Sequence, residues 1–271
     1  MKTPKEKNYY MPAEWYPHKC CWMQWPYENP NHDGYGAIPS WSHFDFEKGR
    51  LAWANVAKSI AEFEKVKMIV HPDNKKNAKN LLDDKIEIIE FKIDDCWARD
   101  SGAIFLLDNK NKLGAVDWEF NGWGKFKPFD SDNKIAKLMI ENSSATYFKN
   151  NMILEGGSIH VDGEGTLLTT EQCLLNKNRN PNLSKEEIEK NLKEYLGINK
   201  IIWLKNGTDE GTDGHIDNIA CFVKTGTVLA LACEDKNDIF YEKINENLEI
   251  LKTSTDCNGK RLEVIELEMS Y

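Results

Sequence analysis

The sequence has no uninterrupted apolar run approaching the roughly 20 residues that cross a bilayer. Its opening, MKTPKEKNYY, lacks the apolar stretch of a secretion signal. Neither a membrane span nor export is expected, and the expected location is cytoplasmic. No Pro-, Ser- or Gly-rich linker and no low-complexity tract divides the 271 residues, so one domain over 1–271 is expected. Positive charge is short: a formal net charge of −9 leaves no basic stripe for nucleic-acid phosphates, while acidity is compatible with a small cationic substrate. The seven cysteines are odd in number, irregular in spacing and without a C-x-x-C pair. That excludes the usual zinc clasp and leaves free thiols as the expectation.

What is present is a repeated unit of hairpin, helix and strand. AIFLLDNKNKLGAVDWEF (103–120) is two apolar runs around a polar turn, and DNKIAKLMIEN (132–142) has helical spacing. SIHVDGEGTLLTT (158–170) is a second hairpin. SKEEIEKNLKEYLG (184–197) then opens on a Ser184/Glu187 capping box and stops at Gly197, and KIIWL (200–204) is a short strand. NIACFVKTGTVLALA (218–232), a helix near 237–252 and RLEVIEL (261–267) make a third unit. Upstream, RLAWANVAKSIAEFEKVKMIV (50–70) reads as helix then strand, with Trp53, Val56, Ala57, Ile60 and Ala61 on one face; a weaker helix and IEIIEF (86–91) follow. Repeated ββαβ units bury their faces on one another in a solenoid or a closed ring.

The loops joining one unit's last strand to the next hairpin hold DDCWARDSG (94–102), LEGGS (154–158) and GTDGHIDN (211–218). Asp100, Glu155 and the pair His215 and Asp217 therefore occupy one slot of successive modules, about 55 to 60 residues apart. In a ring these slots converge, gathering three carboxylates and an imidazole near Trp97 and Trp123. Such a pocket suits a flat cation, since carboxylates accept paired N–H bonds from a guanidinium while aromatic walls exclude water. Each residue alone also has an ordinary reading: Arg99-Asp100 as a surface ion pair, EGG as a turn, His215 as a strand cap, His160 as structural and Asp162 as turn chemistry. The shared slot is what favours a site.

Over MPAEWYPH (11–18), WARDSG (97–102), FNGWG (120–124), EGGSIHVDGEGTLLTTEQCLLNKNRNP (155–181) and DGHIDN (213–218), the chain resembles the agmatine deiminases of the guanidine-modifying superfamily. That resemblance implies a five-module α/β propeller of ββαβ repeats around a pseudo-fivefold axis, incomplete in this chain. It further implies a cytosolic hydrolase without metal or cofactor, often a homodimer, converting agmatine and water to N-carbamoylputrescine and ammonia on the way to putrescine. Carried over residue by residue, Asp100 and Asp217 are expected to anchor the guanidinium, and His215 to act as general acid and base with Glu155 orienting it. Trp97 and Trp123 are expected to line the pocket.

The family's nucleophile is a cysteine in a glycine-rich segment of the GGGNIHC type, and no such segment occurs in these 271 residues. The expectation is a chain truncated before its nucleophile, without turnover as it stands. Cys96, nearest the site in sequence, is a poor substitute because neighbouring carboxylates disfavour its thiolate; Cys221 and Cys233 read as core, and Cys173 has no base beside it in sequence. Residues 27–50 depart from the family pattern, at what is expected to be the pocket rim. Two other readings stay open: a guanidinium-binding protein without turnover, and a metal-dependent hydrolase using the two H-x-D pairs and Glu155.

Overall fold

The computed structural model describes residues 2–31 and 45–269. Most of the 27–50 stretch therefore lies outside the described residues. The chain opens with β1 (Tyr9–Tyr10) and β2 (Cys20–Gln24), continues through α1 (Phe46–Ile60) to β3 (Lys65–Val70), and through α2 (Lys75–Leu81) to β4 (Glu87–Glu90). β2, β3 and β4 form a parallel sheet against which α1 and α2 pack around Trp25, Val66, Met68 and Val70. Asp45 starts α1 by accepting the Lys48 amide. The buried stripe of α1 centres on Ala57, with Ala54 buried and Trp53, Ile60 and Ala61 partly so, whereas Val56 is 51% exposed. One residue is roughly 100° of helix, so the core faces the Ala54 side of Ala57 and not the Val56 side.

Three modules of one plan follow. After α3 (Ala98–Ser101), β5 (Ile104–Asp108) and β6 (Leu113–Glu119) pair antiparallel, and α4 (Ile135–Glu141) leads to β7 (Thr146–Ile153), parallel to β6. β8 (Ile159–Val161) and β9 (Thr166–Thr170) repeat the hairpin; α5 (Glu171–Leu174) and α6 (Lys185–Leu196) precede β10 (Lys200–Leu204), parallel to β9. β11 (Ala220–Lys224), β12 (Thr227–Ala232), α7 (Tyr241–Thr253) and β13 (Glu263–Glu268) make the third. The parallel return follows from the intervening helix, which carries the chain back to the end where the previous strand began. β1 adds to the outer edge of β5.

Ser184 and Glu187 form the capping box of α6, and Gly197 ends it at φ 68°. The cores interlock: α6 and β5 to β9 share one apolar cluster, and Leu168, Ile202 and Leu204 of the second sheet pack into the cluster of β11, β12 and α7. This continuity holds the three inter-module loops, 91–103, 154–158 and 205–219, on rigid strand ends. No helix among the described residues is long and apolar enough to cross a membrane.

Candidate active site

Asp100 sits in the short helix α3, buried, with both carboxylate oxygens engaged. Trp123 Nε1 donates to Oδ2 at 3.1 Å and the Gly157 amide donates to Oδ1 at 3.0 Å. Trp123 reaches that position at φ 55°, a left-handed conformation costing a non-glycine residue on the order of 1 kcal/mol. Its indole is 2% exposed and packs edge-on against Phe120. The ring, expected to line the pocket, is buried against Asp100 and fixes that carboxylate. Trp97, half-buried, packs against the same aromatic cluster.

The EGG segment is a place of close approach. A Cβ on Gly156 would stand 2.1 Å from the Arg99 carbonyl oxygen. One on Gly157 would stand 2.5 Å from His215 Nδ1 and 2.7 Å from both Asp100 Oδ1 and Asp217 Oδ2. Only glycine lets the loop pass there, and the same numbers show that side chains from the 91–103 and 205–219 loops converge on a single point. His215 is 2% exposed, with Nδ1 3.7 Å from Asp100 and Nε2 3.9 Å from Glu155.

Burial alone would lower the His215 pKa, but Asp100, Cys173 and Glu155 outweigh it and hold the imidazole well above its ordinary value. Asp217 is the exposed carboxylate of the group. Desolvation within the cleft, opposed by His215 and reinforced by Asp100, pushes it up to about 6, and solvent access moderates that shift.

Glu155 has no solvent exposure. Its charge is sustained by Arg179, a buried residue to which the sequence reading gave no role. Arg179 Nε donates to Glu155 Oε1 at 2.6 Å, Nη1 to Asp213 Oδ2 at 2.7 Å and Nη2 to the Thr212 carbonyl at 2.9 Å. Burial would raise the Glu155 pKa; Arg179 and His215 reverse this and hold it below the ordinary value. The two aspartates flanking His215 thus have different partners. Asp213 turns to Asn178, Lys125 and Arg179, which lower its pKa against desolvation, while Asp217 faces His215 and Asp100.

Sequence reasoning also missed Cys173, whose thiol lies 4.0 Å from Glu155 Oε2 with its pKa raised by burial and by Glu155. Distant in sequence, these groups meet because α5 follows β9 directly. Cys96 behaves as expected, its thiol pushed well up by burial and Asp95. Arg99 pairs with Glu14 at 2.5 Å and not with Asp100. His160 accepts the Phe222 amide and Asp162 accepts the Glu164 and Thr166 amides, the ordinary roles expected of them. Among the described residues the one cluster with metal-ligand spacing is Glu155, Cys173 and His215, so the H-x-D pairs do not combine into a metal centre.

The sequence model of the Porphyromonas-type peptidyl-arginine deiminase family matches residues 10–271. A Legionella pneumophila protein classed with the agmatine deiminases is 47% identical over 98% of this chain and 75% of its own length. The agmatine deiminase of Pseudomonas aeruginosa is 43% identical over 97% of this chain and 71% of its own. A solved agmatine deiminase of Enterococcus faecalis superposes with a TM-score of 0.92 at 37% identity, covering 99% of this chain and 73% of that one. With this mixed α/β fold and this gathering of carboxylates around an imidazole, the chain belongs to the Porphyromonas-type peptidyl-arginine deiminase family, and within it stands with the agmatine deiminases.

Proposed function

We propose that the site takes the guanidinium of agmatine and serves the hydrolysis of agmatine and water to N-carbamoylputrescine and ammonia, a step toward putrescine. The observation that carries this reading is the convergence of Asp100 Oδ1, Asp217 Oδ2 and His215 Nδ1 on the space beside Gly157 that a Cβ would fill. A planar cation with paired N–H donors satisfies two facing carboxylates at once, each charge-assisted hydrogen bond contributing about 1.5–3 kcal/mol. Once a nucleophile has added to the guanidinium carbon, His215 protonates the ammonia that departs and then deprotonates the water that displaces the nucleophile. Glu155, held by Arg179, orients the imidazole. Trp123 keeps Asp100 aimed at the substrate, and Trp97 belongs to the wall.

In the family's chemistry a cysteine thiolate attacks the guanidinium carbon. Of the thiols near this site, Cys96 and Cys173 both have raised pKa values, which disfavours either as that nucleophile. The same observation favours a second reading, guanidinium binding without turnover. We also take the modules to stand around one pseudo-fivefold axis as a single α/β propeller domain over 1–271, in a cytoplasmic protein that pairs as a homodimer. The recurrence of the site loops at one position of consecutive modules supports the ring.

Calorimetry with agmatine, run beside an ammonia assay, tests the reading. Saturable heat with ammonia release supports the deiminase, and heat without ammonia supports the binder. Absence of heat, or equal heat with putrescine, which has no guanidinium, would remove both.

A further inference from the structure

Glu155, Cys173 and His215 each offer one donor atom, and the three atoms lie within 4.8 Å of one another. Glu155 Oε2 is 4.0 Å from Cys173 Sγ and 3.9 Å from His215 Nε2. The guanidinium anchors are Asp100 and Asp217, and Cys173 is not one of them. Two further features point to a ligand. His215 Nε2 is buried and makes no hydrogen bond among the described residues. Glu155 is divided between two tasks, with Oε1 committed to Arg179 and Oε2 directed to the cluster.

We propose that these three groups form an inhibitory site for a thiophilic divalent cation of the zinc class. An imidazole nitrogen, a sulfur and a carboxylate oxygen, with a fourth position left for water, are a donor set that borderline-soft cations prefer. The surroundings complete it. Asp100 lies 3.7 Å from Nδ1, which directs the Nδ1 proton toward that carboxylate, and the cation binds by displacing the Nε2 proton and the Cys173 thiol proton to solvent. Thr170 accepts the Cys173 amide at 3.2 Å and so fixes α5, and with it the sulfur, beside Glu155. A tetrahedral ion with bonds of roughly 2.0–2.3 Å separates its ligand atoms by about 3.5 Å, so Glu155 closes on each of the other two donors by about half an ångström, and Cys173 and His215 close on each other by no more than about 1.3 Å. A cation on Nε2 takes the imidazole out of proton transfer, which makes it an inhibitor and not a cofactor.

Cobalt(II) titrated into the metal-free chain tests this without reading turnover, so its outcome is independent of the agmatine assignment. The expected result is one cobalt per chain with a thiolate-to-cobalt charge-transfer band, reversed by zinc. Cys173→Ser, close in shape and leaving the other six cysteines in place, should lose the band and weaken zinc binding roughly tenfold or more. His215→Gln provides a second, independent loss of affinity, with circular dichroism confirming that both variants fold. Absence of a thiolate band in the wild-type chain, or a band that persists unchanged in folded Cys173→Ser, overturns the proposal.

Discussion

Arg179→Met removes a cation that is wholly enclosed and bonded to two carboxylates. In the native chain Arg179 gives Glu155 a 2.6 Å hydrogen bond and Asp213 one of 2.7 Å, and Glu155 itself has no contact with solvent. Breaking one side of a buried ion pair costs about 3–5 kcal/mol, because the remaining charge can neither hydrate nor find a partner. Asp213 keeps Lys125 at 2.6 Å, so most of the cost falls on Glu155. Urea denaturation near neutral pH should register a midpoint lowered by roughly 1–2 M.

The deficit should depend on pH. Native Glu155 has a depressed pKa, so its contribution is present above the ordinary carboxylate value and is lost as pH falls through the folded value. Without Arg179, burial raises that pKa and the sign reverses. The variant then approaches wild-type stability in acid and falls behind as pH rises. Adding Glu155→Gln to Arg179→Met removes the stranded charge and should recover roughly half of the loss near neutral pH. A single variant within about 1 kcal/mol of wild type at neutral pH, or additive effects in the pair, would refute the reasoning.

Other perturbations address the anchors. Desolvation and Asp100 raise Asp217 to about 6, so its protonated form is favoured in the folded chain, a contribution present below the ordinary aspartate value and lost as pH rises through about 6. Agmatine stays cationic throughout, so its affinity should strengthen as pH rises over the same interval and then level off. Calorimetry on Asp217→Asn should give a flat profile across it, and a step that survives would assign the titration elsewhere. Gly157→Ala places a methyl 2.5–2.7 Å from three polar atoms of the site, where ordinary contact begins at 3.4 Å. Overpacking should cost about 1–3 kcal/mol of stability, and displacement of the anchors by nearly an ångström should weaken agmatine recognition roughly 100-fold. Unchanged affinity in a folded variant would mean that these groups do not bind the substrate.

The modules were legible because their signals are local: apolar runs around polar turns in the hairpins, the Ser184/Glu187 box and the stop at Gly197 all appear in the structure at or near the expected positions. Equivalence of position in successive modules then gathered Asp100, Glu155, His215 and Asp217, which the structure brings together. What escaped depends on contacts distant in sequence. β2, CCWMQ, has no alternation and is a strand because β3 pairs with it. Arg179 lies in the polar run NKNRNP, indistinguishable from a solvated loop until Glu155 and Asp213 enclose it. Cys173 looked isolated because its neighbours in space are 18 and 42 positions away. The doubled glycine of EGG was the one local clue to the site's floor. The segment does turn, the Ser158 amide donating to the Glu155 carbonyl, but neither glycine adopts a positive φ, so close approach and not backbone freedom requires the pair.

Carboxylates from separate loops closing on one guanidinium define the site, and agmatine affinity in Asp100→Asn and Asp217→Asn measures that directly. Each substitution should weaken binding by about 1.5–3 kcal/mol, roughly 10- to 150-fold. Glu164→Gln, on the exposed turn between β8 and β9, should leave it unchanged. Wild-type affinity in both asparagine variants, with the fold intact, would contradict the account.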